Sequence, residues 1–377
     1  MITLKRPYLV LPKFIEQPTW GGNYIVEMKN LVNNPSLKSK KIGQSYELFS
    51  GSKLLTKITD SDKQNVVPEL GTAESTAITN NVPYKKGVDY INLPNVTELY
   101  KKIMLIKITQ ALGNSFQLHI KTATKDKKWR PKPESWYYLE NGLLTFGIKK
   151  DINIHNYQQA CRLIELIMNL LSKQVKSKKI SINTAREKML LGIKKINPWQ
   201  YVNLHQIKKG SLIDLSSGGI HHSWEEDRNK YPMGNVLYEI QKDVMDPIST
   251  IRAFDQGKIS NNGTIREIHI NDYFKYLDTN PQHNNIINAT LHEKDGQLLS
   301  TPYYCLNKLI INKNYVDLTK KSFVHLFVLS GKASITSEDG AVIVSKGYSC
   351  FIPEIVGKYT IKPLSNNLII LKAFINN

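Results

Sequence analysis

Between Lys107 and Glu140 the chain reads KITQALGNSFQLHIK, a basic connector, and then KPESWYYLE. This stretch constrains the fold more than any other, because its polar side chains fall at strand spacing. Gln117 and His119 are two apart in an alternating run, so both project from one face. Glu134 opens a second run, ESWYYLE, rich in the aromatic residues that sheets favour. An amide oxygen, an imidazole and a carboxylate are thereby offered from two neighbouring strands. Mixed nitrogen and oxygen ligation of this kind suits zinc and its neighbours in the first row. The same residue types also serve as ordinary hydrogen-bonding groups on a sheet surface, so the trio alone leaves both uses open.

The 377 residues suffice for a large core and two lobes. A formal charge of +19 invites a nucleic-acid reading. The lysines, however, are spread along the whole chain beside many Asn and Ile, and no recognition motif or aromatic platform accompanies them. No nucleic-acid partner is expected. The N-terminal MITLKRPYLVLPKF mixes charges and prolines into its apolar residues, unlike a targeting segment. No run approaches the roughly 20 apolar residues of a membrane span, so no membrane partner is expected. Cys161, Cys305 and Cys350 are odd in number and far apart, which points away from a disulfide framework and towards a reducing cytoplasm.

Residues 1–105 read as short strands and loops, with Gly21 and Gly22 permitting a turn after Trp20. After the strand GLLTFGI the period changes. Ala160, Leu163, Ile164, Ile167 and Leu171 follow the helical i, i+3, i+4 spacing, so one face should be buried. Thr184 and Glu187 can form a capping box for a second helix reaching Lys195, and Pro198 stops it. This helical piece, 151–197, reads as an insertion beside a sheet. Strands resume at Tyr201. Gly210, five residues, Ser216, one residue, Gly218, two residues and His221 then follow. This spacing resembles the second motif of the cupin β-barrel, G(x)5PxG(x)2H, with serine for proline. On that resemblance His221 would join Gln117, His119 and Glu134 as a fourth ligand. Glu239 and Gln241 share a strand face. Arg252 suits a surface ion pair or, at a barrel mouth, a phosphate or developing oxyanion. The last 75 or so residues repeat the pattern more weakly: HLFVLSGKASIT resembles WYYLENGLLTFG, with Gly357 and Lys358 where His221 would align. The expected fold is mainly β: two cupin-like, jelly-roll barrels with a helical insertion. Residues 1–300 form the metal-binding region and 301–377 a degenerate second barrel.

Taken in order, the motifs resemble the type I mannose-6-phosphate isomerases. TWGG near Trp20 is similar to the family's WGG, IGQSYEL (42–48) to IGESWEL, and FQLH (116–119) to VQVH. KPE (132–134) is similar to KxE, GGIH (218–221) to GTVH, EIQ (239–241) to EIQ, TIR (250–252) to TYR, and REIHI (266–270) to RELHI. The resemblance implies that Gln117, His119, Glu134 and His221 bind one Zn2+ per chain, with another divalent metal as the alternative. It implies that Arg252 is the catalytic arginine, that Lys132 and Glu239 lie in the pocket, and that a phosphorylated hexose is the substrate of a monomer or homodimer. The expected reaction interconverts mannose 6-phosphate and fructose 6-phosphate through a cis-enediol(ate). Its base would be Glu239 with a raised pKa or Lys132 with a lowered one, and Glu239 is preferred because a carboxylate is already deprotonated at neutral pH. The alternative is a sugar-binding or regulatory cupin that keeps the scaffold without catalysis. Three departures stand out: Ile120 and Lys121 after the metal-binding histidine, Gln44 for Glu, and Ser216 for Pro.

Overall fold

The computed structural model describes residues 5–56, 69–71, 89–113, 115–218, 222–224, 227–255 and 258–376. Its architecture follows from one strand, Met104–Ala111, which is buried at every position. A strand achieves this only when both faces are covered. It lies in an eight-stranded sheet between Asn235–Lys242 and Ile42–Leu48. Ile106 and Ile108, with Leu48, Tyr238 and Ile240, pack against Leu306, Phe327, Phe351 and Leu371 of a second eight-stranded sheet. The other face of the first sheet looks onto a five-stranded sheet containing Gly142–Ile148, Ser115–Leu118 and Ile251–Asp255. Trp136, Tyr138, Leu144, Phe146 and Leu237 fill the space between these two.

Outside the five-stranded sheet, Phe116, Leu118, Ile251 and Ala253 pack against the helices Ile154–Lys176, Ile182–Ile196 and Ile270–Tyr276. The first helix buries Tyr157, Ala160, Cys161, Ile164, Met168 and Leu171, whereas Leu163 is 48% exposed. The helical period holds, but the buried stripe is turned towards Cys161 and Met168, because the helix packs at once against the second helix, Ile270–Tyr276 and the strand Ile251–Asp255. The second helix begins earlier than the Thr184–Glu187 box implies: Ser181 Oγ accepts the Thr184 N–H at 3.0 Å and is the N-cap. Asn197 ends it in a left-handed conformation, φ 51°, just before Pro198. Among the described residues no helix is long and apolar enough to cross a membrane.

The second eight-stranded sheet covers a four-stranded one, and Leu326, Val328, Ile335, Val344, Ile361 and Ile370 form the core between them. This sheet crosses the boundary expected at 300/301. Tyr8–Leu11 pairs with Ser349–Ile352, and Lys53–Leu55 extends the sheet further. The layers therefore run helices, five-stranded sheet, first eight-stranded sheet, second eight-stranded sheet and four-stranded sheet, with the N-terminal segment stitched into the far lobe.

Candidate active site

Strand register sets out the polar side chains in rows between the five-stranded sheet and the first eight-stranded sheet. Trp136, Glu239, Lys107, Tyr46 and Lys13 follow one another across the large sheet. Glu134, Gln241 and Leu105 form the next row. On the facing sheet Phe146, Gln117 and Arg252 stand in register, the first two linked through the backbone of His222. Period two turns Gln117 and Arg252 towards the large sheet and leaves their apolar neighbours to the helices.

The charged groups meet in pairs. His119 Nε2 lies 3.2 Å from Glu134 Oε1, and both residues are almost fully buried. The other imidazole nitrogen, Nδ1, is 2.7 Å from the Ser249 carbonyl oxygen. A carbonyl only accepts, so Nδ1 carries a proton and Nε2 is the nitrogen that faces the carboxylate. Glu134 Oε2 is 3.1 Å from Lys132 Nζ, which is 3.2 Å from Asp246 Oδ1. Lys107 Nζ is 2.8 Å from Glu239 Oε2. Burial pushes the Glu239 carboxyl above its ordinary range; Lys107 opposes this and the Glu134 charge adds to it. Burial pulls the Lys132 ammonium down, but Asp246 and Glu134 outweigh it and the net direction is up. Desolvation raises Asp246, yet Lys132, Lys107 and Arg252 hold it well below the usual carboxylate range.

Arg252 lies beside a second arginine. Arg266 grips Asp255 with two bonds, Nε to Oδ2 at 2.8 Å and Nη2 to Oδ1 at 2.6 Å. Burial and the Arg266 charge bring Arg252 down to about 10, still a cation at neutral pH. Its backbone carbonyl accepts the His269 N–H at 2.7 Å, which braces this strand. Arg252 Nε, Glu239 Oε1, Gln241 Oε1, Thr109 Oγ1 and the Tyr138 hydroxyl are buried without a hydrogen-bond partner among the described residues. Buried polar atoms are nearly always paired, so their concentration here marks a polar space shaped for something other than the chain itself.

The donor set fits a divalent metal. Two lone-pair atoms 3.2 Å apart repel one another unless a proton or cation lies between them. Ligands about 2.0–2.1 Å from a tetrahedral zinc stand about 3.3 Å apart. His119 and Glu134 can therefore form one edge of a coordination shell. The Gln117 amide oxygen accepts the Ser115 hydroxyl at 3.0 Å and keeps a second lone pair. His221 lies outside the described residues. Among the described residues no group of three His, Cys, Asp or Glu side chains forms a metal cage; the expected set counts an amide and His221 in addition to the His119–Glu134 pair.

Gly218 keeps the motif geometry. Its φ is +65°, and a Cβ there would sit 2.6 Å from the Ile120 carbonyl oxygen. Ser216, in the proline position, donates its N–H to Asp214 Oδ1 at 2.9 Å, a bond proline could not make. Lys121 pairs with Asp278 at 2.7 Å, so the departure after His119 is tied down by its own ion pair. The chain's own carboxylates, Asp246 and Glu134, push the Lys132 ammonium up, so a lowered pKa there would need the charge of a bound metal. Lys107, Asp246, Ser249 and Tyr46 were missed as site residues. A lysine inside the apolar run MLIKI was a signal for an inward ion pair; Asp246, in an irregular turn, gave none.

Residues 294–370 match the family model described as mannose-6-phosphate isomerase, cupin domain. No curated protein matches the chain significantly. Among solved structures, mannose 6-phosphate isomerase from Bacillus subtilis is similar at TM-score 0.60 and 16% identity, covering 97% of this chain and 99% of that one. A mutant phosphomannose isomerase from Salmonella typhimurium gives TM-score 0.61 and 12% identity, covering 99% and 100%. A zinc-bound mannose 6-phosphate isomerase gives TM-score 0.59 and 12% identity, again over 99% and 100%. The chain thus shares the fold of these phosphomannose isomerases over nearly its whole length, and residues 294–370 match the model of a mannose-6-phosphate isomerase cupin domain.

Proposed function

We propose that the protein is a metal-dependent aldose–ketose isomerase interconverting mannose 6-phosphate and fructose 6-phosphate, folded as two cupin-like barrels with a helical insertion. The observation that carries this reading is the His119–Glu134 pair, its tautomer fixed by Ser249, set among buried charges. His119, Glu134, Gln117 and His221 would hold one Zn2+, which supplies Lewis acidity towards the sugar's carbonyl and hydroxyl oxygens.

The chain's own residues do the rest. Glu239 moves the proton between C1 and C2. One of its oxygens is held by Lys107, and the other, Oε1, is bonded to no described residue. Its raised pKa makes it a stronger base than a surface carboxylate. Arg252 places fixed positive charge beside the developing enediolate. Lys132, kept as ammonium by Glu134 and Asp246, binds a substrate oxygen or the phosphate instead of abstracting a proton. The sheets exclude water from the proton's path.

A coupled assay tests the proposal: protein is given mannose 6-phosphate, and fructose 6-phosphate is followed with and without a chelator. Turnover that the chelator abolishes is expected; no turnover in metal-replete protein would leave a sugar-binding cupin. His221→Ala should lose metal and activity together. Arg252→Ala should keep its metal, measured by elemental analysis, and lose roughly 100-fold or more in kcat; full activity would remove its assigned role.

A further inference from the structure

The inward residues of the strand Ile42–Leu48 are Gln44 and Tyr46, where the resembling motif IGESWEL has Glu and Trp. We infer that the Tyr46 hydroxyl is a further substrate-contacting group of this site, donating a hydrogen bond to an oxygen of the sugar chain. The inference rests on the isomerase reading above and deepens it.

Three observations carry it. The first is position. Tyr46 is the register partner of Lys107, which is the register partner and ion-pair partner of Glu239. It therefore stands on the same inner row as the proposed base. The second is anchorage. Its ring meets Phe49 edge-on, with centroids 5.6 Å apart, in a small apolar cluster with Ile15 and Leu105. This cluster fixes the ring. The third is the hydroxyl itself. The residue is only 6% exposed, and its hydroxyl bonds to no described residue but is not sealed from water. The charges that act on it are those of Asp246, Lys132, Glu239 and Asp243. Burial and the Asp246 charge push the phenol well above its ordinary range, so it remains a neutral donor throughout the physiological range.

A hydroxyl that meets water but no protein acceptor is free to bond a ligand, and a phosphorylated hexose brings several acceptor oxygens. A residue wanted only for packing would need no hydroxyl. Where the motif's tryptophan would offer an indole N–H, tyrosine offers an O–H at the tip of a smaller ring.

Tyr46→Phe removes the oxygen and keeps the ring. Its metal content and thermal midpoint should match those of the wild type, while kcat/KM for mannose 6-phosphate falls about tenfold, the loss of one hydrogen bond to substrate. A folded Tyr46→Phe with unchanged kcat and KM would overturn the inference. Should Phe not fold, Tyr46→Leu takes its place with the same readout. If the wild type shows no turnover, the isomerase reading fails separately. The hydroxyl is then judged by calorimetric affinity for fructose 6-phosphate, where equal binding by wild type and Tyr46→Phe, or no binding by either, overturns it.

Discussion

The side of the strand on which Gln117 stands was legible because strand parity is local. Two residues two apart share a face whatever the rest of the chain does. The ion pair between Lys107 and Glu239 was not legible, because 132 positions separate them and only the pairing of their strands brings Nζ and Oε2 to 2.8 Å. That pair yields a prediction. Lys107 lowers the Glu239 pKa against burial, and a base works only when deprotonated. Lys107→Met should therefore move the acidic limb of the kcat/KM profile to higher pH, by about one unit or more. A limb left in place, in a variant that retains metal, would separate Glu239 from the proton transfer. Lys132 stands in contrast: Asp246 and Glu134 make it more basic, and its charge acts on Glu239 less than that of Lys107 does, so Lys132→Met should chiefly raise KM for the phosphosugar and move that acidic limb less than Lys107→Met.

At the level of elements, the change from period two to period 3.6 located both helices, and Pro198 located the end of the second. The start was misjudged by three residues because Ser181 and Thr184 are both good capping residues, and the choice depends on which backbone N–H is left free. Ser181 Oγ holds the Thr184 N–H at 3.0 Å. Ser181→Ala should cost about 1 kcal/mol in denaturant unfolding and leave kcat unchanged, since the hairpin lies on the far side of the five-stranded sheet from the site. The buried stripe of the first helix was turned from the expected one for a related reason. Periodicity gives the width of an apolar face, whereas the neighbours decide where it is centred.

Across the whole molecule, the weak internal repeat announced a second lobe, but not that the lobes share a sheet. Tyr8–Leu11 pairs with Ser349–Ile352, and one core runs from Phe14 and Ile106 to Phe327 and Leu371. A chain ending at residue 300 should therefore fail to give soluble, cooperatively unfolding protein; a stable 1–300 fragment would show that the shared core is dispensable. Between the two large sheets lies His325, fully buried, which burial and the nearby Lys29 ammonium push down to about 3. From the ordinary histidine value near 6.5 down to about 3, the unfolded chain takes up a proton that the folded one refuses. Stability is thus fully present above about pH 6.5 and falls as the pH drops, by up to about 1.4 kcal/mol per pH unit. His325→Leu should flatten this loss between about pH 6.5 and 5, where most carboxylates remain ionised. By itself the sequence determined which side chains share a strand face, where helices replace strands, and which polar residue types those strands offer. Only the tertiary structure decided which faces meet, which carboxylate each lysine neutralises and where the lobes join, because these depend on pairing and packing between segments that carry no local record of one another.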